Sequence, residues 1–358
     1  MDWDNPYVTY TDSYIEASWK TIKTAHEKGL LHEGVYVVPY CARCETTLAN
    51  YELEYEEETD PSIYVKFRSQ ANESEYFIIW TTTPWTLVSN MAIMAHPVYT
   101  YVKVKVGKET WILAKERLDT LMTLLGESAT VAGEISGKKL EKTAYAHPLQ
   151  EKIGKKCERR VVLSDEFVTL EDGTGLVHCA PGHGPEDFII GKRFGIEIFS
   201  PVDSSGKFTR EAGAYAGMSV REASKKVIED LEQAGALAHK ASVTHRYPHC
   251  WRCKSPLIFI ATNQWFISVT KLKEQMLAQI ENCDWNPPFA KVRFREFVAS
   301  APDWCISRQR YWGIPLPIWK CGSCGHIRVI GSKSELSHSV QELHRPWIDA
   351  VRLKCEKC

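Results

Sequence analysis

Between Asp12 and Lys28 the apolar residues Ile15, Trp19 and Ile22 recur at helical spacing. That pattern predicts one amphipathic helix with Asp12 as its N-cap and Gly29 as its stop. "GVYVVPYC" follows as a strand. From about residue 62 to 180 the pattern changes to short strands: "SIYVKF", "YFIIW", "YTYVKVKV", "ETWILA" and "GTGLVHCA". One helical stretch, "KERLDTLMTLLG", interrupts them, so a β-rich module of barrel or sandwich type is expected. Helical periodicity returns in "REASKKVIEDLEQAG" (221–235), ending at Gly235. A strand ("LIFIA"), a helix ("TKLKEQMLAQIEN") and a Trp-rich stretch complete the chain. The expected architecture is an α/β body interrupted by a β-rich insertion.

The 358 residues exceed what one ordinary core holds, so two or three domains are expected. Apolar content of 44% and charged content of 25% are those of a soluble globular protein. There is no uninterrupted apolar run of spanning length and no basic-then-apolar leader at the start. The expected location is cytoplasmic, with no membrane partner. A formal charge of −1 gives no global attraction to nucleic acid. Three basic runs interleaved with aromatics, at 154–160, 245–254 and 291–297, nonetheless hint at a polyanionic partner.

Twelve cysteines change the picture through their spacing. Cys41/Cys44, Cys250/Cys253, Cys321/Cys324 and Cys355/Cys358 are four C-x-x-C pairs. A two-residue gap lets both thiolates of a knuckle reach one tetrahedral Zn²⁺. The local partner of Cys321/Cys324 is Cys355/Cys358, a zinc-ribbon spacing. Cys41/Cys44 is then left to meet Cys250/Cys253, so the segment between them must return to its starting point. All-thiolate sets predict two structural zinc sites. Cys157, Cys179, Cys283 and Cys305 are expected to be buried thiols.

Two stretches carry candidate chemistry. "GTGLVHCAPGHGPEDF" (173–188) reads as a tight loop between a strand ending at His178 and a helix starting near Pro185. Asp187 falls in the first turn of that helix, where a carboxylate also suits the helix dipole. "IIWTTTPWTL" (78–87) ends a strand on three hydroxyls, a proline and an indole. Combined, Thr81, Thr82, Thr83 and Thr86 offer donors and acceptors for a ribose or a water. Asp187 offers a fixed negative charge for an ammonium, and His178 and Trp85 offer walls. Such a pocket suits an aminoacyl ester with a free α-amine. No Ser or Cys stands in a nucleophile elbow, so an acyl-enzyme hydrolase is not indicated.

"WTTTPWTL" with Asn90, the 173–188 stretch, "PDWCISRQRYWGIPLPIW" (302–319) and the four knuckles in order resemble the isoleucyl-tRNA synthetases, which are class I aminoacyl-tRNA synthetases. The valyl and leucyl enzymes are less similar: their threonine peptide typically continues with Arg-Pro, where this chain has Thr83-Pro84-Trp85. The resemblance implies an isoleucine-tRNA ligase that uses ATP in its full length and attaches isoleucine to tRNA(Ile). It also implies an editing site that hydrolyses mischarged valyl-tRNA(Ile). In that site Thr81, Thr82, Thr83, His178 and Asp187 would act on the ester, and Trp85, Thr86, Asn90 and His183 would bind the substrate. His178 would help exclude the isoleucyl side chain, and Asp187 would hold the α-ammonium. Val88 stands where the family usually has proline. The logic of a second, hydrolytic sieve was established on this enzyme family: a synthetic pocket cannot strongly reject a residue one methylene smaller.

Neither a His-Ile-Gly-His-like stretch nor a Lys-Met-Ser-Lys-Ser-like loop occurs. The resemblance therefore predicts an internal slice of such an enzyme, its missing catalytic portions supplied separately if at all. Its fold class would be α/β, a partial Rossmann-type body interrupted by a β-barrel-rich editing domain with zinc ribbons. The expected division is 1–60 body with the first knuckle, 61–240 editing insertion, 241–310 body with the second knuckle, and 311–358 C-terminal ribbon. The alternative is a catalytically inert zinc-ribbon module that binds tRNA.

Overall fold

The computed structural model describes residues 3–4, 6–309, 313–336 and 340–358. Arg310, Tyr311 and Trp312, part of the 302–319 stretch, lie outside the described residues. The chain divides into two compact units, one of residues 36–262 and one of residues 1–35 with 263–358.

In the 36–262 unit, ten strands among the described residues form one sheet. Six of them close on themselves. Leu53–Ser69 pairs with Ala144–Ala146, which pairs with Arg159–Leu163, then Ala92–Ala95, Leu176–Cys179 and Glu75–Thr81. Glu75–Thr81 pairs back onto Leu53–Ser69, from Arg68 opposite Tyr76 to Ile63 opposite Thr81. The ring is a small barrel, and closure leaves those strands no free edge. Alternation sorts the side chains: Phe77 and Ile79 enter the core with Ile63, Val65, Phe67, Ile93, Tyr145 and Val161. Ile78 faces the other way, onto a second cluster with Val102, Val104, Trp111 and Leu113 beneath the helix Leu118–Leu125. Glu109–Ala114, Thr100–Val106 and Thr130–Ser136 continue the sheet outward from Glu75–Thr81.

Leu237–Cys250 pairs antiparallel with the long strand Leu53–Ser69, from Leu237 opposite Val65 to Cys250 opposite Leu53. This ribbon absorbs much of the basic run at 245–254. His245 Nε2 lies 3.0 Å from Asp60, His249 Nε2 lies 3.0 Å from Glu58, and Lys254 pairs with Glu54. In the run at 154–160, Lys155 pairs with Glu197 and Arg160 with Glu158.

In the other unit the helix Asp12–Glu27 buries Ile15 and Trp19 against Ile330, Leu336, Leu343, Ile348 and Val351. Ile22 is only partly covered, and the N-cap is Thr11 rather than Asp12. The Asp12 carboxylate instead accepts from the Leu343 amide at 2.8 Å and from Lys333 at 2.5 Å. A hairpin of Ile318–Lys320 and Ile327–Val329 carries the knuckle Cys321/Cys324. In the basic run at 291–297, Lys291 and Arg295 both pair with Glu281. Of the four leftover cysteines only Cys179 is buried; Cys157 and Cys305 are partly covered and Cys283, in a turn after a helix, is exposed. Among the described residues no helix is long and apolar enough to cross a membrane.

Candidate active site and cysteine clusters

The strands Leu176–Cys179 and Glu75–Thr81 pair in parallel, with Val177 opposite Trp80. Parallel strands finish at the same edge, so two peptides some ninety residues apart leave the barrel side by side. After Thr81 the chain turns through a 3₁₀ helix, Pro84–Ser89; after Cys179 it forms the loop that starts the helix Pro185–Phe194. Between them lies a cavity of about 430 Å³. Thr81, Thr82, Thr83, Thr86, His178, His183 and Asp187 all line it.

Trp85 and Asn90 stand behind this wall. The Trp85 indole packs edge-on to His183, centroids 4.8 Å apart, and touches Phe208. Asn90 is fully buried and works through His178. The Tyr145 hydroxyl donates to Asn90 Oδ1 at 2.7 Å, and Asn90 Nδ2 donates to the Ala92 carbonyl at 2.9 Å. These contacts fix the amide, so Asn90 Nδ2 also donates to His178 Nδ1 at 2.8 Å. With Nδ1 accepting, His178 carries its proton on Nε2 and donates to Thr86 Oγ1 at 3.1 Å. The Thr86 hydroxyl in turn donates a hydrogen bond to the Thr83 carbonyl at 2.8 Å. The chain Tyr145–Asn90–His178–Thr86–Thr83 therefore runs in one direction with each side-chain donor matched. Burial first, and then nearby His183, push the His178 imidazolium down to about 3, so the ring is neutral.

Asp187 lies in the first turn of Pro185–Phe194 and turns back over the loop, where Oδ2 accepts from the Ala180 amide at 2.8 Å. A Cβ at Gly184 would sit 2.6 Å from that oxygen, so a side chain here would push Asp187 out of its place over the loop. Burial raises the Asp187 carboxyl to about 7, with the Ala180 bond opposing the shift. Val88 is 1% exposed within the 3₁₀ turn.

Several contributors escaped sequence reasoning. Trp80, Phe167, Asp172 and Thr174 also border the cavity. Arg159, 2% exposed, donates to the Asn90 carbonyl at 2.8 Å and to Gln150 at 2.5 Å, holding the base of the His178 relay. Its only sequence signal is the charged run "KKCERR", which reads as surface.

The cysteines meet in the two expected sets: Cys41, Cys44, Cys250 and Cys253, and Cys321, Cys324, Cys355 and Cys358, each with its sulfurs within 4.8 Å of one another. Closest approaches are 3.4 Å for Cys41–Cys253, 3.5 Å for Cys321–Cys358 and 3.7 Å for Cys324–Cys355. A disulfide needs about 2.05 Å. Tetrahedral Zn²⁺ with Zn–S near 2.3 Å spaces its sulfurs by about 3.8 Å. The donor sets thus fit a thiophilic divalent ion. The first set is partly enclosed by Leu48, Leu53 and Leu257, and the antiparallel ribbon brings Cys250 back beside it.

The family model for class I tRNA synthetases (I, L, M and V) matches residues 1–354, and the chain belongs to that family. Within it, the chain is 47% identical over its whole length to the isoleucine–tRNA ligase of Methanopyrus kandleri and 47% identical to that of Sulfolobus acidocaldarius. It spans 36% of the first relative's length and 35% of the second's. Among solved structures, the P. knowlesi cytosolic leucyl-tRNA synthetase editing domain aligns with 53% of this chain and 97% of its own, at 11% identity and a TM-score of 0.40.

Proposed function

We propose that this chain is the portion of an isoleucine–tRNA ligase that carries the editing site, and that its own reaction is hydrolysis of valyl-tRNA(Ile). The carrying observation is the convergence of the threonine hydroxyls, neutral His178 and Asp187 on one cavity. In the reaction water adds to the ester carbonyl, the bond to the ribose oxygen breaks, and that oxygen takes the proton. Ionised Asp187 holds the α-ammonium, whose own charge favours the ionised form. The threonine hydroxyls grip the ribose end and a water. His178, locked by Asn90 and Thr86, is a rigid wall that limits the side chain admitted. Holding ester and water together does much of the work without a covalent nucleophile.

In this reading residues 61–240 are the editing insertion, 1–60 and 241–310 belong to the catalytic body, and 311–358 form a C-terminal ribbon. Each thiolate set holds one structural Zn²⁺, which ties chain segments together and leaves no open position for catalysis. The full-length protein attaches isoleucine to tRNA(Ile) in the cytoplasm, with ATP bound through signatures this chain lacks.

The test is release of valine and of isoleucine from the respective charged tRNA(Ile) by the purified chain. Selective release of valine is expected. Tight, salt-sensitive tRNA binding with no release would instead favour the inert tRNA-binding module. Metal analysis is expected to find about two zinc ions per chain, and chelation to melt the C-terminal ribbon.

A further inference from the structure

His178 and His183 border the same cavity, and their ring nitrogens are used differently. Both nitrogens of His178 have protein partners. His183 Nδ1 lies 3.0 Å from the Phe259 carbonyl oxygen, which can only accept, so the proton sits on Nδ1 and Nε2 presents a lone pair. That Nε2 is buried and has no hydrogen-bond partner. The ring cannot readily turn away. Trp85 packs against it, the His183 amide donates to the Ala180 carbonyl at 2.8 Å, and the Gly182 carbonyl is held by the Ala261 amide at 2.9 Å. A buried, fixed, unsatisfied acceptor is costly unless something donates to it.

We infer that His183 Nε2 accepts a hydrogen bond from an O–H group at the ester being hydrolysed. Two sources share that chemistry: the free hydroxyl beside the ester on the terminal ribose, and the attacking water. The ammonium is the poorer match, because Asp187 already offers it a charge and a neutral imidazole offers none. This inference rests on the deacylase reading above.

The test uses the whole chain with His183→Ala and His183→Gln, each checked for folding by its thermal melt. His183→Ala is expected to lose about tenfold or more in kcat/KM for valyl-tRNA(Ile), as for a lost buried hydrogen bond. His183→Gln places an amide oxygen near the vacated Nε2 position and is expected to recover part of that loss. A tRNA lacking the hydroxyl beside the ester separates the sources. If the ribose hydroxyl is the donor, this substrate is slow with the wild-type chain and His183→Ala slows it no further. If water is the donor, His183→Ala slows both substrates by the same factor. A wild-type chain that hydrolyses valyl-tRNA while folded His183→Ala matches its kcat/KM overturns the inference and leaves the deacylase reading standing. A folded wild-type chain that hydrolyses nothing overturns both.

Discussion

On the threonine side of the cavity, hydrogen bonds run from one side chain to the next, Tyr145 to Asn90 to His178 to Thr86, and end on the Thr83 carbonyl. On the loop side, Asp187 gives one oxygen to the Ala180 amide, and the buried His183 Nε2 has no hydrogen-bond partner. The His178 relay in the first wall is saturated from within and is suited to fixing a shape. The second keeps charge and lone pairs for whatever enters. In the proposed reaction the difference separates two tasks, excluding the wrong side chain and binding the reacting groups.

The largest expected effect breaks the loop side. Asp187→Ala is expected to lower kcat/KM for valyl-tRNA(Ile) by about 100-fold, the roughly 3 kcal/mol of a severed buried charge pair. An unchanged rate would show that this wall does not read the ammonium. Next comes the threonine side: Asn90→Ala leaves His178 Nδ1 and the Tyr145 hydroxyl without their partner. Denaturant unfolding should show a loss of about 2 kcal/mol, typical for buried groups left unsatisfied. The ratio of valine to isoleucine release should fall, because His178 is no longer locked. If only the absolute rate falls, the relay does not set selectivity. The smallest effect sharpens the charge assignment. Asp187 is raised from 3.8 to about 7 by burial, so the native state keeps its proton where the unfolded chain has lost it. That contribution is complete below 3.8, drains away as pH rises toward 7, and is flat above. Asp187→Asn does not titrate, so it should gain on the wild type by about 1 kcal/mol between pH 6 and 7, measured by parallel unfolding curves.

The sequence patterns that proved legible are local ones. Short apolar runs marked "YFIIW" and "ETWILA" as strands, and Pro185 marked the start of its helix. The C-x-x-C spacing paired all eight knuckle cysteines as the structure does. What escaped depends on partners distant in sequence. Only the "SIYVKF" part of Leu53–Ser69 reads as a strand, because "EYEEETD" has no apolar alternation. That acidic half is extended by pairing with the strand that carries His245 and His249. The parallel register of Val177 and Trp80, which brings the two site peptides together, leaves no local trace either. Within the site, seven of the cavity-lining residues were singled out from their motifs, whereas Trp85 and Asn90 were assigned to the substrate and stand one layer back. Tyr145 and Arg159 look ordinary in sequence; burial alone makes them supports.

The central claim is that Asp187 recognises the α-ammonium of a valyl ester in this cavity. It is tested most directly by comparing valyl-tRNA(Ile) with its N-acetylated form, using the wild-type chain and Asp187→Ala. The account predicts that acetylation slows the wild type severely and that Asp187→Ala adds nothing to that loss. Rapid hydrolysis of the acetylated substrate by the wild type, or an equal effect of Asp187→Ala on both substrates, would contradict it.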